Sequence, residues 1–131
     1  RINGKILDLY NTHFDAGRSE SDKNTRLSQL NQLQKYIKAN STNYPVIIAG
    51  DLNILYESSE YKIIDSFIID NQFVLADWSS VLSKSKFGKL DYILYKSSNE
   101  TDIKLEKCKV DTNLRGLSDH PAIQAVFNLE N

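Results

Sequence analysis

Four short polar motifs in this 131-residue chain carry side chains that could transfer protons or hold a cation. An imidazole with a pKa near neutrality can accept a proton from water, and carboxylate and amide oxygens are the ligands that Mg²⁺ prefers. The motifs are NTH, GDLN, LDY and SDH, and their candidate residues are His13, Asp51, Asn53, Asp91, Asp119 and His120. Taken singly, each motif is more often a strand end or a turn than a functional site. Their meaning depends on whether the fold brings them together.

The neighbouring residues Asp119 and His120 are not expected to form one hydrogen-bonded pair. Side chains of successive residues on an extended segment point to opposite sides. Asp91, on a different predicted strand, is the better partner for the imidazole of His120. A carboxylate behind the ring would hold it in the orientation that proton transfer needs.

The hydrophobic pattern predicts the elements that must position these side chains. Short apolar or alternating runs predict six strands, at Lys5–His13, Pro45–Gly50, Phe73–Trp78, Lys89–Lys96, Ile103–Asp111 and Ala122–Glu130. Apolar residues at helical spacing predict two helices. The first is Asp22–Ala39, capped by Ser19 or Ser21, and its apolar face consists of Leu27, Leu30, Leu33 and Ile37. The second is Ser58–Ile69, and its inward residues are Tyr61, Ile64, Phe67 and Ile68. This order predicts an α/β fold with a mixed sheet. Ligands bind outside strand ends in open α/β sheets, so the candidate residues could converge on one rim.

The composition limits the classes of function. The chain is 40% hydrophobic and 25% charged with a net charge of −1, so it has no excess positive charge to bind nucleic acid by bulk electrostatics. Its single cysteine, Cys108, excludes an intrachain disulfide, and no run of about 18 apolar residues predicts a membrane span. The chain has no methionine and enters a predicted strand almost at once, so we expect it to be a piece of a larger protein.

As an ordered series, the four motifs resemble those of the endonuclease/exonuclease/phosphatase superfamily, which has the DNase I-like fold. The family's later motifs run T-H, G-D-x-N, D-[YRH]-[IV] and S-D-H, and the match extends from His13 to His120. The resemblance implies that His120 is the general base or orients the attacking water, and that Asp91 fixes its tautomer. Asp119 would be a metal ligand. Asp51 and Asn53 would hold the phosphate and nucleophile or a second metal, and His13 would bind phosphate oxygens or assist the leaving group.

The resemblance covers the C-terminal half of the family's domain, so residues 1–131 are interpreted as that portion. The expected fold is therefore a mixed sheet with helices on one face, half of a four-layer α-β-β-α sandwich. The family's principal metal ligand, a Glu in the first half, has no counterpart at Glu20, Glu57 or Glu60. We expect this chain alone to have little or no activity. We also expect its sheet to expose an apolar face for a partner, either the missing N-terminal half or a second copy.

The function that the resemblance implies is hydrolysis of phosphate esters, most often phosphodiesters, with Mg²⁺ or Mn²⁺. Nucleic acid is slightly favoured as substrate, with a sphingomyelinase-like or inositol-phosphate phosphatase activity as alternatives, and a non-catalytic binding or scaffold module as the alternative of another class. A secreted location is slightly favoured. Asn40 and Asn99 begin Asn-x-Ser/Thr triplets, which fit glycosylation acceptors, but such triplets often arise by chance. Surface or scaffold roles are favoured over phosphate contact for Arg26 and Arg115, and Cys108 is expected to be an inert thiol. Trp78 could equally line a substrate cleft or pack at a strand end.

Overall fold

The computed structural model describes residues 4–41, 43–77, 89–111 and 118–130. Along the chain these form β1 (Asp8–His13), α1 (Glu20–Asn40), β2 (Val46–Asp51), a short 3₁₀ helix (Ser59–Tyr61), α2 (Lys62–Asn71), β3 (Val74–Leu75), β4 (Asp91–Lys96), β5 (Asp102–Asp111) and β6 (Ala122–Glu130). Four strands form one sheet in the order β1-β2-β4-β3, in which β1 is parallel to β2 while β4 is antiparallel to both β2 and β3. The α/β class and the mixed sheet are confirmed.

The core lies between one face of this sheet and the two helices. Val46, Ile48, Tyr92 and Leu94 supply buried side chains from β2 and β4, and the helices contribute Leu30, Ile37, Ile64 and Phe67. Alternate residues along a strand point to opposite faces, so Ile47, Ala49 and Asp51 of β2 face away from the helices. The expectation of helices on one face is confirmed, and the opposite face of the sheet does not contact the helices.

Helix α1 begins at a capping box, as predicted for Ser19. The Ser19 hydroxyl accepts a hydrogen bond from the backbone N–H of Asp22, and the Asp22 carboxylate accepts one from the backbone N–H of Ser19. The prediction that Leu27 faces the core is wrong, because its side chain is 41% exposed. The buried residues of the helix are instead Arg26, Leu30 and Ile37. Leu27 follows Arg26 and is therefore rotated from it by about 100° around the helix axis, towards solvent.

Several predicted element bounds also differ from the structure. The first strand begins at Asp8, whose N–H donates to Pro45 O, instead of at Lys5, which forms only an isolated bridge. The predicted strand Phe73–Trp78 is reduced to Val74–Leu75 in the described residues, where it pairs with Tyr95 and Leu94 of β4, and one further backbone hydrogen bond runs from Ala76 N–H to Ile93 O. Trp78 lies outside the described residues. The second helix starts as a 3₁₀ turn and continues to Asn71, two residues beyond the predicted end.

The last two strands form a separate two-stranded antiparallel sheet, β5-β6. This hairpin packs on the four-stranded sheet on the side away from the helices, where the ring of Phe127 lies edge-on to that of Tyr95 with centroids 5.1 Å apart. Ile103 of β5 is buried, and its N–H donates to the Ser97 hydroxyl just after β4. The hairpin therefore covers part of the open face of the larger sheet. None of the described helices is long and apolar enough to cross a membrane.

Candidate active site

Strand register places three of the predicted residues side by side. His13, the last residue of β1, lies opposite Asp51, the last residue of β2, and Asp51 lies opposite Asp91, the first residue of β4. Paired residues on adjacent strands project from the same face, and here that face is the one away from the helices. The three side chains therefore form a row across three strands at one end of the sheet.

Gly50 allows this row to form. Its φ angle is +149°, and a Cβ atom added to it would lie 1.8 Å from the backbone oxygen of Thr12. No side chain fits in that space, since backbone cannot move aside as the end of a flexible side chain can. The glycine of GDLN was part of the sequence motif but received no role there. Its role is to let β1 and β2 approach closely beside the pair formed by His13 and Asp51.

The fourth member of the cluster is His120, which reaches the row from the segment before β6. Its Nδ1 lies 2.8 Å from Asp91 Oδ2 and 3.8 Å from Asp51 Oδ2. On the other side of Asp51, His13 Nε2 lies 3.5 Å from the same Oδ2 atom. The structure thus brings together His13, Asp51, Asp91 and His120, which come from four separate places in the sequence.

Burial and hydrogen bonding set the charges of the His120–Asp91 pair. Partial burial raises the pKa of the Asp91 carboxyl above its ordinary value, and the imidazole of His120 opposes that rise. The hydrogen bond to Asp91 raises the pKa of His120, and the charges of Asp91, Asp51 and Asp119 act in the same direction. Each partner thus favours the charged form of the other.

Asn53 lies behind the row instead of in it. Its side chain is buried, and its Nδ2 donates to Phe14 O at 2.9 Å, in the loop that follows His13. Its backbone N–H donates to Asp51 Oδ1 at 2.7 Å, and its φ of +53° lies in the left-handed region that asparagine tolerates. Asn53 therefore fixes one oxygen of the Asp51 carboxylate, leaving Oδ2 as the oxygen nearer the two histidines.

Tyr92 contributes a support that the sequence did not indicate. Its buried hydroxyl donates to Ile54 O at 2.6 Å, which connects β4 to the segment that follows Asn53. The D-Y-I motif contains this tyrosine, but a hydroxyl that bonds to a distant carbonyl leaves no pattern in the sequence. Tyr92 thus holds the Asp51 segment and the Asp91 strand together.

Three of the described residues form a group that could hold a metal ion. Asp51, Asp91 and His120 each offer one ligand atom, and these atoms lie within 4.8 Å of one another. The carboxylate oxygens suit Mg²⁺ or Mn²⁺, whereas a histidine nitrogen suits Mn²⁺ better than Mg²⁺. Asp119, the ligand implied by the resemblance, is exposed, and its Oδ1 lies 3.5 Å from the hydroxyl of Ser118. The structure places Asp119 next to His120 but outside this group of three.

Comparisons with known proteins identify the fold. Neither models of protein families nor the sequences of curated proteins match this chain. Among solved structures, it is similar to an endonuclease/exonuclease/phosphatase from Bacteroides vulgatus at 22% identity and a TM-score of 0.69, covering 98% of this chain and 51% of that one. The human Nocturnin catalytic domain with bound sulfate matches at 20% identity and a TM-score of 0.66, covering 99% and 50%. Sphingomyelinase C from Streptomyces griseocarneus matches at 19% and 0.61, covering 95% and 54%.

These matches share one architecture despite their low identities, and in each of them the chain spans about half of the matched structure. They agree with the motif series from His13 to His120 and with the mixed sheet that brings those motifs to one end. This chain has the fold of the endonuclease/exonuclease/phosphatase superfamily.

Proposed function

We propose that the protein containing this chain is a divalent-metal-dependent phosphoesterase that acts on phosphodiesters. The observation that carries the proposal is the convergence of His13, Asp51, Asp91 and His120 at one end of the sheet, on the face away from the helices. Such a cluster can hold a phosphate group, bind a cation and move a proton. The fold supports the proposal, because members of this superfamily occur among the matched structures.

His120 is assigned the transfer of a proton from the attacking water. Its Nδ1 contacts Asp91, which favours the tautomer with the proton on Nδ1 and leaves the lone pair on Nε2, the atom that would accept the proton. Asp91 then stabilises the imidazolium that results. The raised pKa of His120 agrees with this role, since it makes the imidazole a stronger base.

Asp51 is assigned to the metal and His13 to the phosphate. The Asp51 carboxylate is fixed by the N–H of Asn53, and its hard oxygens fit a divalent cation. A bound Mg²⁺ or Mn²⁺ would supply positive charge to neutralise the phosphate oxygens. His13 is 70% exposed and reaches the row from its open side, as a group that contacts substrate must. Asp119 remains the candidate for a further ligand, and Asn53 contributes by orienting Asp51.

The chain is proposed to be the C-terminal portion of its domain, because it spans about half of the structures that it matches. Leu9 projects from the sheet face away from the helices and is 63% exposed, so it is available to further polypeptide. We propose that the other half of the fold covers this sheet face, and the alternative is a second copy of this chain. Sedimentation of the chain alone distinguishes the two, since a dimer would favour the second copy.

The activity is tested with the full-length natural protein and three substrates, namely plasmid DNA, sphingomyelin and inositol phosphates. We expect hydrolysis with Mg²⁺ or Mn²⁺ and none with EDTA, and the substrate cleaved fastest assigns the class. Nucleic acid is proposed first on family frequency alone. The chain by itself should turn over far more slowly. Robust turnover by the chain alone would contradict the missing-ligand argument, and no turnover of any phosphate ester by the full-length protein would favour a scaffold module.

A further inference from the structure

A buried arginine lies behind the candidate site. Arg26 of α1 has no exposed surface, and its Nε and Nη2 donate to the two carboxylate oxygens of Glu60 at 2.7 and 2.9 Å. Its Nη1 donates to two backbone oxygens, Asp15 O at 3.0 Å and Gly17 O at 2.6 Å. All three guanidinium nitrogens are therefore used, and the Glu60 bond raises the pKa of Arg26.

The carbonyls that Arg26 holds belong to the loop that follows His13, residues 14–18. This loop contacts the end of β2 and the segment after it through three hydrogen bonds. Phe14 N–H donates to Asp51 O at 2.9 Å, Asn53 Nδ2 donates to Phe14 O at 2.9 Å, and Arg18 Nη1 donates to Asn53 O at 3.0 Å. Asn53 in turn holds the Asp51 carboxylate through its backbone N–H. Hydrogen bonds at both sides of loop 14–18, joined by the backbone of the loop, thus connect Arg26 to Asp51.

We propose that Arg26 and Glu60 are positioning residues that set the orientation of Asp51 through loop 14–18; for catalysis, this inference rests on the function proposed above. A buried ion pair is weak evidence for a role in stability, because apolar side chains of similar size often replace such pairs without loss. A rigid fork of N–H donors is what the arrangement uses, since two donors hold Glu60 while a third nitrogen holds the loop. Lysine provides the charge without this geometry.

The test compares R26K with wild type, using E60Q as a second, milder variant and K23M as the matched control. Lys23 lies on the same helix in an exposed pair with Glu20, so K23M should change nothing. In the full-length protein that carries R26K, we expect kcat to fall about tenfold to a hundredfold with little change in KM, at a temperature where the variant is fully folded. E60Q should show a smaller fall in the same direction.

Hydrogen exchange gives a readout that does not depend on activity. The amide of Asn53 donates to Asp51, whereas the amide of Ile48 lies in the middle of the central strand β2. R26K should speed exchange at Asn53 more than at Ile48, because the loss of order is local. Equal acceleration at both amides, or an unchanged Asn53, would show a merely structural role and overturn the inference. If the wild-type protein hydrolyses no phosphate ester, the proposed function fails, and hydrogen exchange alone decides the positioning role.

Discussion

Two rows of side chains cross the same three strands on the same face of the sheet, and they have opposite character. One row is His13, Asp51 and Asp91; the other, four residues away along β1 and β2, is Leu9, Ile47 and Tyr95. At the strand rise per residue, the rows are about 13 Å apart. The first row is polar and contacts His120, whereas the second is largely apolar and its Tyr95 packs against Phe127.

The comparison shows how side-chain packing at the apolar row helps to position a functional side chain at the polar row. β6 carries Phe127, and the segment directly before it carries His120. When the hairpin docks on Tyr95, it also delivers the imidazole of His120 to Asp91. Substitutions in the polar row should therefore change activity with little change in stability, while substitutions in the apolar row should mainly change stability.

The largest effect is expected from H120N in the full-length protein. Loss of the proposed proton acceptor should lower kcat by about a thousandfold, as removal of a general base does. The melting temperature should change little, because His120 lies in a partly exposed loop position. N128A, at an exposed position of β6, is the control and should keep wild-type activity. An H120N variant with near wild-type kcat would remove His120 from the mechanism.

The next largest effect is expected from G50A. The added Cβ would meet the Thr12 oxygen at 1.8 Å, so β1 and β2 must separate beside His13 and Asp51. We expect the free energy of unfolding to fall by about 3 kcal/mol or more, measured by denaturation in urea. A49G is the matched control on the same strand and should lose only about 1 kcal/mol. If G50A is as stable as A49G, the close approach of the strands is not required.

A smaller effect is expected from F127A in the apolar row. Phe127 is half-buried against Tyr95, so its truncation should cost about 2 kcal/mol of unfolding free energy, less than for a fully buried phenylalanine. The kcat of the full-length protein should fall less than tenfold at a temperature where the variant remains folded. F127L, which keeps most of the apolar volume, should be intermediate in stability. A thousandfold loss of kcat in F127A would show that the two rows are not separable.

The smallest effect is a pKa change, measured for His120 by NMR titration in EDTA. The folded-state pKa of His120 should lie above the ordinary value of about 6.5, and D91N should lower it, because Asp91 is the largest cause of the rise. Because folding raises the pKa of His120, the His120–Asp91 pair stabilises the folded state. This stabilisation is complete below the unfolded-state pKa and is lost as the pH rises through the folded-state pKa. A His120 pKa that is unchanged in D91N would contradict the hydrogen bond.

The motifs could be read from the sequence because each is local, and so could the helices and strands with strong periodicity. His13 and Asp51 were predicted at strand ends, and the structure puts them there; Asp91, predicted as the third residue of its strand, is the first residue of β4. Their alignment in one row depends on the register of three strands. Each strand lies about 40 positions from the next along the chain, so no local pattern encodes the register. The separation of β5 and β6 into their own sheet could not be predicted either, because the sequence of a strand does not specify which sheet the strand joins.

Buried polar side chains were the hardest to predict, because their partners are distant in sequence. Arg26 was favoured as a surface or scaffold residue, and the structure shows it buried and bonded to Glu60, 34 positions away. Leu27 was assigned to the core by spacing alone, whereas the buried position belongs to Arg26. The inert thiol predicted for Cys108 stays a prediction, consistent with burial raising its pKa. Arg115 lies outside the described residues.

The most direct test of the central claim is to locate a divalent cation by paramagnetic broadening with Mn²⁺ on the chain labelled for NMR. We predict the strongest broadening at His13, Asp51, Asp91 and His120, reversal by EDTA, and weaker broadening at Leu9, Ile47 and Tyr95 in the other row, about 13 Å away. D51N should remove the broadening, and D119N shows whether Asp119 is also a ligand. Broadening that is centred elsewhere, or that persists unchanged in D51N, would contradict the assignment of the polar row as the metal-binding centre.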